Sequence, residues 1–175
     1  MSSEGALVER HNASAGVRST ALYSPCERYR YDLLRVWDGD APKLTYIMLN
    51  PSKATELKND PTIERCQRRA VRLGYGAIRI GNLFAWRETS PEALRKARRP
   101  VGPETDRLLL EGARWADAVL CAWGVHGAHR GRADEVKALL ATSDTPLVHL
   151  GLTREGHPRH PLYVSYEVTP ERWAL

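Results

Sequence analysis

Leu44-Thr45-Tyr46-Ile47-Met48-Leu49-Asn50-Pro51 decides the fold. A nearly continuous apolar run ends in an Asn-Pro turn. A strand covered on both faces reads this way, whereas a strand with one wet face alternates. Three short runs repeat the signal: Ala77-Ile78-Arg79-Ile80-Gly81-Asn82-Leu83, Ala118-Val119-Leu120-Cys121-Ala122-Trp123 and Leu147-Val148-His149-Leu150-Gly151. Helical segments separate them. One runs from Asp60-Pro61 to near Gly74, with aspartate as cap and proline in the first turn. Others start at Ser90-Pro91-Glu92 or span about Glu104–Ala116 and Gly131–Ala141. Strands alternating with helices predict an α/β fold: a three-layer α/β/α arrangement around a four-stranded parallel sheet.

Upstream, Tyr29–Trp37 alternates as a strand and Asp38-Gly39-Asp40-Ala41-Pro42 is a turn. This strand is expected to pair with Leu44–Leu49 as an N-terminal β-hairpin. Residues 1–20 are rich in Ser, Ala, Gly and Glu without a clear period. They read as a loosely ordered N-terminal arm, and residues 21–175 as a single α/β domain.

Composition narrows the function classes. The chain is 42% hydrophobic and 27% charged, which is ordinary for a globular protein. No apolar run is long enough to span a bilayer, and the first residues carry no signal-peptide core, so no membrane partner is expected. Cys26, Cys66 and Cys121 are widely spaced and form no CxxC pair. A reducing, cytoplasmic setting follows from that usage, and a monomer is expected. His126–His129 and His157–His160 have HxxH spacing, but no cysteine pair or HExxH pattern accompanies them, so no metal is assigned. The chain has no GxGxxG and no GxxxxGK[ST], and no cofactor is expected. The net charge is +5, carried mainly by arginine, a side chain suited to phosphates and bases.

In open α/β sheets, ligands bind outside the carboxyl ends of the strands. Four loops qualify, beginning at Asn50, Asn82, Gly124 and Gly151. Taken alone, Asn50-Pro51 reads as an ordinary strand-ending turn. Asn82 brings an amide that donates and accepts at once, which suits the edge of a base. Phe84 and Trp86 offer stacking faces, or else belong to the core. Gly151–Leu162 holds His157, Arg159 and His160 among glycines and prolines and reads as a shaped site. Arg65, Arg68, Arg69 and Arg72 share one helix face, either solvated or in contact with phosphates. Asp60 is a helix cap first and a water-activating carboxylate second.

Tyr29–Tyr163 resembles a bacterial and phage domain family that carries only a domain-of-unknown-function label. The residues that carry this likeness are Leu49-Asn50-Pro51-Ser52-Lys53-Ala54, Asn59-Asp60-Pro61-Thr62, Gly81-Asn82-Leu83-Phe84 and Gly156-His157-Pro158-Arg159-His160-Pro161-Leu162-Tyr163. The order of motifs also resembles, more distantly, the uracil-DNA glycosylase superfamily. Met48-Leu49-Asn50-Pro51 stands where that superfamily has Gly-x-Asp-Pro or Gly-x-Asn-Pro, without the leading glycine. Ala122-Trp123-Gly124 is similar to its apolar-Trp-Gly strand end, and His160-Pro161-Leu162 to its His-Pro-Ser motif, without the serine.

The resemblance implies a DNA base N-glycosidase that removes a modified or deaminated base, with DNA as partner. Asn82 would hold the base and His160 would stabilise the departing base anion. Asn50, or Asp60 if it is more than a cap, would place the water. Phe84 or Trp86 would stack on the flipped base. The Arg65–Arg72 face or Arg159 would hold the backbone. Two alternatives stand beside it. One is a non-catalytic nucleic-acid binder of the same fold, favoured by the missing glycine and serine. The other is an enzyme acting on free nucleotides or nucleosides.

Overall fold

The computed structural model describes residues 5–175. Eight strands among them form one sheet: β1 (Val8–Ser14), β2 (Val17–Tyr23), β3 (Arg30–Val36), β4 (Lys43–Met48), β5 (Ala77–Asn82), β6 (Ala118–Cys121), β7 (Leu147–His149) and β8 (Glu171–Arg172). Four α-helices lie between the later strands: α1 (Pro61–Arg72), α2 (Pro91–Lys96), α3 (Thr105–Trp115) and α4 (Arg132–Leu140). The strand order is β1-β2-β3-β5-β4-β6-β7-β8. The pairs β4–β5, β4–β6 and β6–β7 are parallel, and the other four pairs are antiparallel.

β4 shows why its sequence is apolar throughout. Leu44, Tyr46 and Met48 face a core shared with Ile63, Cys66 and Ala70 of α1. Ile47 and Leu49 face a second core shared with Leu109 and Ala113 of α3 and Val136 and Leu140 of α4. Helices therefore cover both sheet faces. Gly81 lets α3 lie close on β5: a Cβ there would sit 2.6 Å from Leu109 Cδ2. The expected caps form, with Asp60 accepting from Ile63 N–H and Ser90 from Ala93 N–H.

Three expectations need correction. The sheet is mixed and eight-stranded, not four-stranded and parallel; antiparallel strands extend the parallel block on both sides. The expected hairpin does not form, because β5 inserts between β3 and β4. The end of β3 is tied to the approach of β5 instead: Trp37 and Asp38 N–H groups both donate to Gly76 O. β4, apolar on both faces, takes the interior position, and β3 moves outward. Finally, residues 8–20, assigned to a loose arm, form β1 and most of β2. The short Ala15-Gly16 turn, both residues at positive φ, closes that hairpin, and β3 pairs with β2. Residues 1–4 of that arm lie outside the described residues. No helix among the described residues is long and apolar enough to cross a membrane. All three cysteines are free, with Cys66 and Cys121 buried.

Candidate functional site

The carboxyl ends of β4, β5 and β6 open into a cleft of about 450 Å³. Asn50 and Ser52 enter from the loop after β4, Asn82 from the last residue of β5, and Trp123, Gly124 and His126 from the segment after β6. The first turn of α1 adds Asp60 and Thr62, and the approach to α2 adds Glu88 and Thr89. His160, Leu162 and Tyr163 come from the C-terminal segment, and Arg30 from the start of β3. Asn50, Asp60, Asn82 and His160, distant in the chain, thus share one cavity wall.

Each of these groups is held differently. Asn50 donates through Nδ2 to Glu88 O at 2.8 Å and to Pro51 O at 3.2 Å. Glu88 N–H returns a bond to Pro51 O, so the loops after β4 and β5 are knitted together. The Asn50 amide is fixed by its nitrogen, and no described residue donates to its oxygen. Asp60 has both oxygens engaged, one by Ile63 N–H at 2.9 Å and the other by Ala54 N–H at 3.3 Å. It is a cap that also organises the preceding loop.

Asn82 is 3% exposed, and neither its amide nitrogen nor its oxygen has a partner among the described residues. A buried amide normally finds partners, because leaving one without them costs about 1–3 kcal/mol per group. Among the described residues, the same holds for Trp123 Nε1 at the cleft wall.

His160 precedes a single 3-10 turn, Pro161–Tyr163, and accepts Leu162 N–H at Nδ1 over 3.3 Å. The proton of the neutral ring therefore sits on Nε2. Burial pushes the His160 pKa below its usual value, and the negative charge of Asp60 offsets this only in part. The ring is then a neutral donor at pH 7. Gly124, at φ +72°, donates its N–H to Pro158 O and ties the turn after β6 to the C-terminal segment.

Other expected site residues lie elsewhere. Phe84 is wholly buried in the α3–α4 core, its ring 5.6 Å from that of His129, and offers no stacking face. Trp86 packs edge-on to Tyr29 beneath the Arg28 guanidinium, away from the cleft wall. The arginine face of α1 meets the chain's own C-terminal segment. Arg65 donates to Pro161 O and Val164 O. Arg69, 1% exposed, donates to Val164, Ser165 and Val168 carbonyls. Arg72 pairs with Glu167, and all three cations gather around the Tyr166 ring. Arg68 points outward and pairs with Glu64. Arg159 is exposed and lies over Gly151, outside the cleft lining.

The residues missed by sequence reasoning include Arg30, Glu88, His126 and Tyr163. Tyr163 is 81% exposed at the cleft mouth. Its place directly after His160-Pro161-Leu162 was the available signal. Arg30 gave none. No group of three or more His, Cys, Asp or Glu side chains suited to a metal occurs among the described residues.

No curated protein and no solved structure matches the chain. A family model described as "Protein of unknown function (DUF1643)" matches residues 30–162, which take in β3 through the turn carrying His160. That match covers well over half of the sequence, and the chain belongs to this family.

Proposed function

We propose that the cleft binds a nucleobase and hydrolyses its N-glycosidic bond, with a modified or deaminated base in DNA as substrate. The observation that carries this reading is Asn82: a buried amide without partners among the described residues, on the wall of a cleft that also holds Asn50 and His160. An amide edge of this kind pairs with the edge of a heterocycle, donating and accepting together. The reaction asks little acid–base chemistry of a protein. The C1′–N bond breaks with its electron pair leaving on the base, through an oxocarbenium-like sugar. A water oxygen then bonds to C1′, and the proton it releases neutralises the departing base anion. Asn50 Oδ1, the free end of a fixed amide, accepts from that water and orients it. His160 Nε2–H donates to the base oxygen on which negative charge develops. The leading glycine and the serine of the superfamily pattern are absent, so these roles rest on the cleft itself.

One observation favours a second reading, in which the substrate is a free nucleotide or nucleoside. Three of the four arginines expected to hold the backbone, Arg65, Arg69 and Arg72, are occupied by the C-terminal segment.

The test is incubation with oligonucleotides bearing uracil, hypoxanthine, hydroxymethyluracil and hypermodified bases, and with the matching nucleosides and nucleotides. Base release that disappears in Asn82→Ala supports the proposal. Release from monomers alone selects the second reading. No release from any substrate overturns both, and salt-dependent DNA binding in that case assigns a non-catalytic binder.

A further inference from the structure

Five arginines are buried among the described residues: Arg30, Arg35, Arg69, Arg79 and Arg132. Four of them make several hydrogen bonds or pair with a carboxylate. Arg35 meets Asn59 and three backbone carbonyls. Arg69 meets three carbonyls, Arg79 pairs with Asp32 at 2.9 Å, and Arg132 pairs with Asp106 and Leu83 O. Arg30 differs. It is 2% exposed, it makes a single hydrogen bond, from Nη1 to Ala54 O at 2.8 Å, and its Nε, like that of Arg69, has no partner among the described residues. It is also the one buried arginine of the five that lines the cleft.

A buried guanidinium short of acceptors is costly unless something supplies them. The carboxylates on the cleft wall do not. Asp60 is engaged by two backbone N–H groups, and Glu88 accepts Thr89 N–H at 3.4 Å. Arg87 and Arg35 add like charge near Arg30, while Asp60 and the Tyr23 hydroxyl oppose it. Burial pulls the Arg30 pKa down to about 10, so it remains a cation at neutral pH. Arg30 lies on the same wall as Asn82, and β3 and β5 are neighbouring strands.

We infer that Arg30 is an anion-binding group of the cleft, and that the ligand brings an anionic oxygen to it while Asn82 holds the heterocycle. This deepens the proposed function and rests on its premise that the cleft takes a nucleobase. The oxygen comes either from a phosphate of a nucleotide or from an acidic substituent on the base.

Isothermal titration of the full chain with uridine, uridine monophosphate and 5-carboxyuridine separates the two sources. One anionic ligand is expected to bind about ten- to hundredfold more tightly than uridine, the range of a charge-assisted hydrogen bond. Its identity names the source. The preference should vanish in Arg30→Met and persist in part in Arg30→Lys. Equal binding of all three ligands, or no binding, overturns the inference from the wild-type protein alone. So does a preference that survives Arg30→Met. Base release without any anion preference would retain the glycosidase proposal and remove this one. An anion preference without base release would do the reverse.

Discussion

Asn82→Leu should stabilise the ligand-free protein while abolishing base binding. The two side chains have the same branch point and the same number of heavy atoms, so no cavity opens, and the greater bulk of the leucine methyl groups has the cleft beside it to extend into. In the wild-type chain, both amide atoms are desolvated without partners among the described residues. Each such group costs about 1–3 kcal/mol, and Leu removes both while adding apolar contact beside Met48, its register neighbour on β4. A bridging water in the cleft would reduce the penalty, so a net gain of about 1–3 kcal/mol is the expected outcome. For a chain of this size, each kcal/mol moves Tm by about 2–4 °C. Urea unfolding gives the cleaner measurement: the midpoint should rise with the slope unchanged. Ligand should then raise the wild-type midpoint and leave that of the variant where it is. A variant less stable than wild type without ligand would refute the reasoning, because the amide would then be supporting the fold.

Other outcomes follow from the same geometry. Arg69→Met should destabilise by about 3 kcal/mol and raise hydrogen exchange across residues 161–168, since the Ser165 and Val168 carbonyls lose their arginine donor and Val164 O keeps only Arg65. Arg68→Ala, on the outward side of the same helix, should leave the urea midpoint unchanged. His160 has its pKa lowered by burial, so the unfolded chain binds its proton more readily. Stability should therefore fall as pH drops from about 6.5 toward the folded pKa. His160→Gln should flatten that part of the profile. Asp32 works in the opposite direction. Burial outweighs its pairing with Arg79 and raises its pKa to about 6. Its contribution is present at low pH and is lost as pH rises through the usual carboxylate range to about 6. Asp32→Asn should remove this component in urea titrations between pH 4 and pH 7.

The parts of the fold that were legible were those with local causes. The β4 run, the Asp60-Pro61 and Ser90-Pro91 caps and the four apolar strands all declare themselves within a few residues. Strand pairing was not local. The Asp38–Pro42 turn suggested a hairpin, but the choice of neighbour depends on burial at both edges of β4, and β5 and β6 supply it. The arginine face of α1 shows the same limit. Its i, i+3, i+4, i+7 spacing correctly groups four cations on one side of a helix. It cannot say that the C-terminal segment, about 95 positions later, arrives to take up three of them, Arg65 and Arg69 through its carbonyls and Arg72 through Glu167. Phe84 and Trp86 were ambiguous for a related reason: an aromatic at a strand end stacks on a ligand only if no helix covers it, and α3 and α4 enclose Phe84.

Arg30 was the least legible group, and the cause is one residue of geometry. In a regular strand, Arg30 and Asp32 would point to one face and Tyr31 and Leu33 to the other. Pairing with β2 instead jumps from Leu22–Asp32 to Tyr23–Arg30, so Tyr31 is an extra residue with no partner on β2. Such a bulge reverses the alternation on one side of itself. Asp32 therefore meets Arg79 of β5, which also reaches Glu111 of α3, while Arg30 meets Ala54, on the same side as Arg35 and its partners Thr55 and Asn59. Without the bulge, Arg30 would lie beside Asp32 as one more structural ion pair. With it, the guanidinium is turned away from that carboxylate and set into the cleft. Bulges of this kind re-aim side chains at functional sites, and here the side chain that is re-aimed is the buried arginine that lines the cleft with a single hydrogen bond of its own.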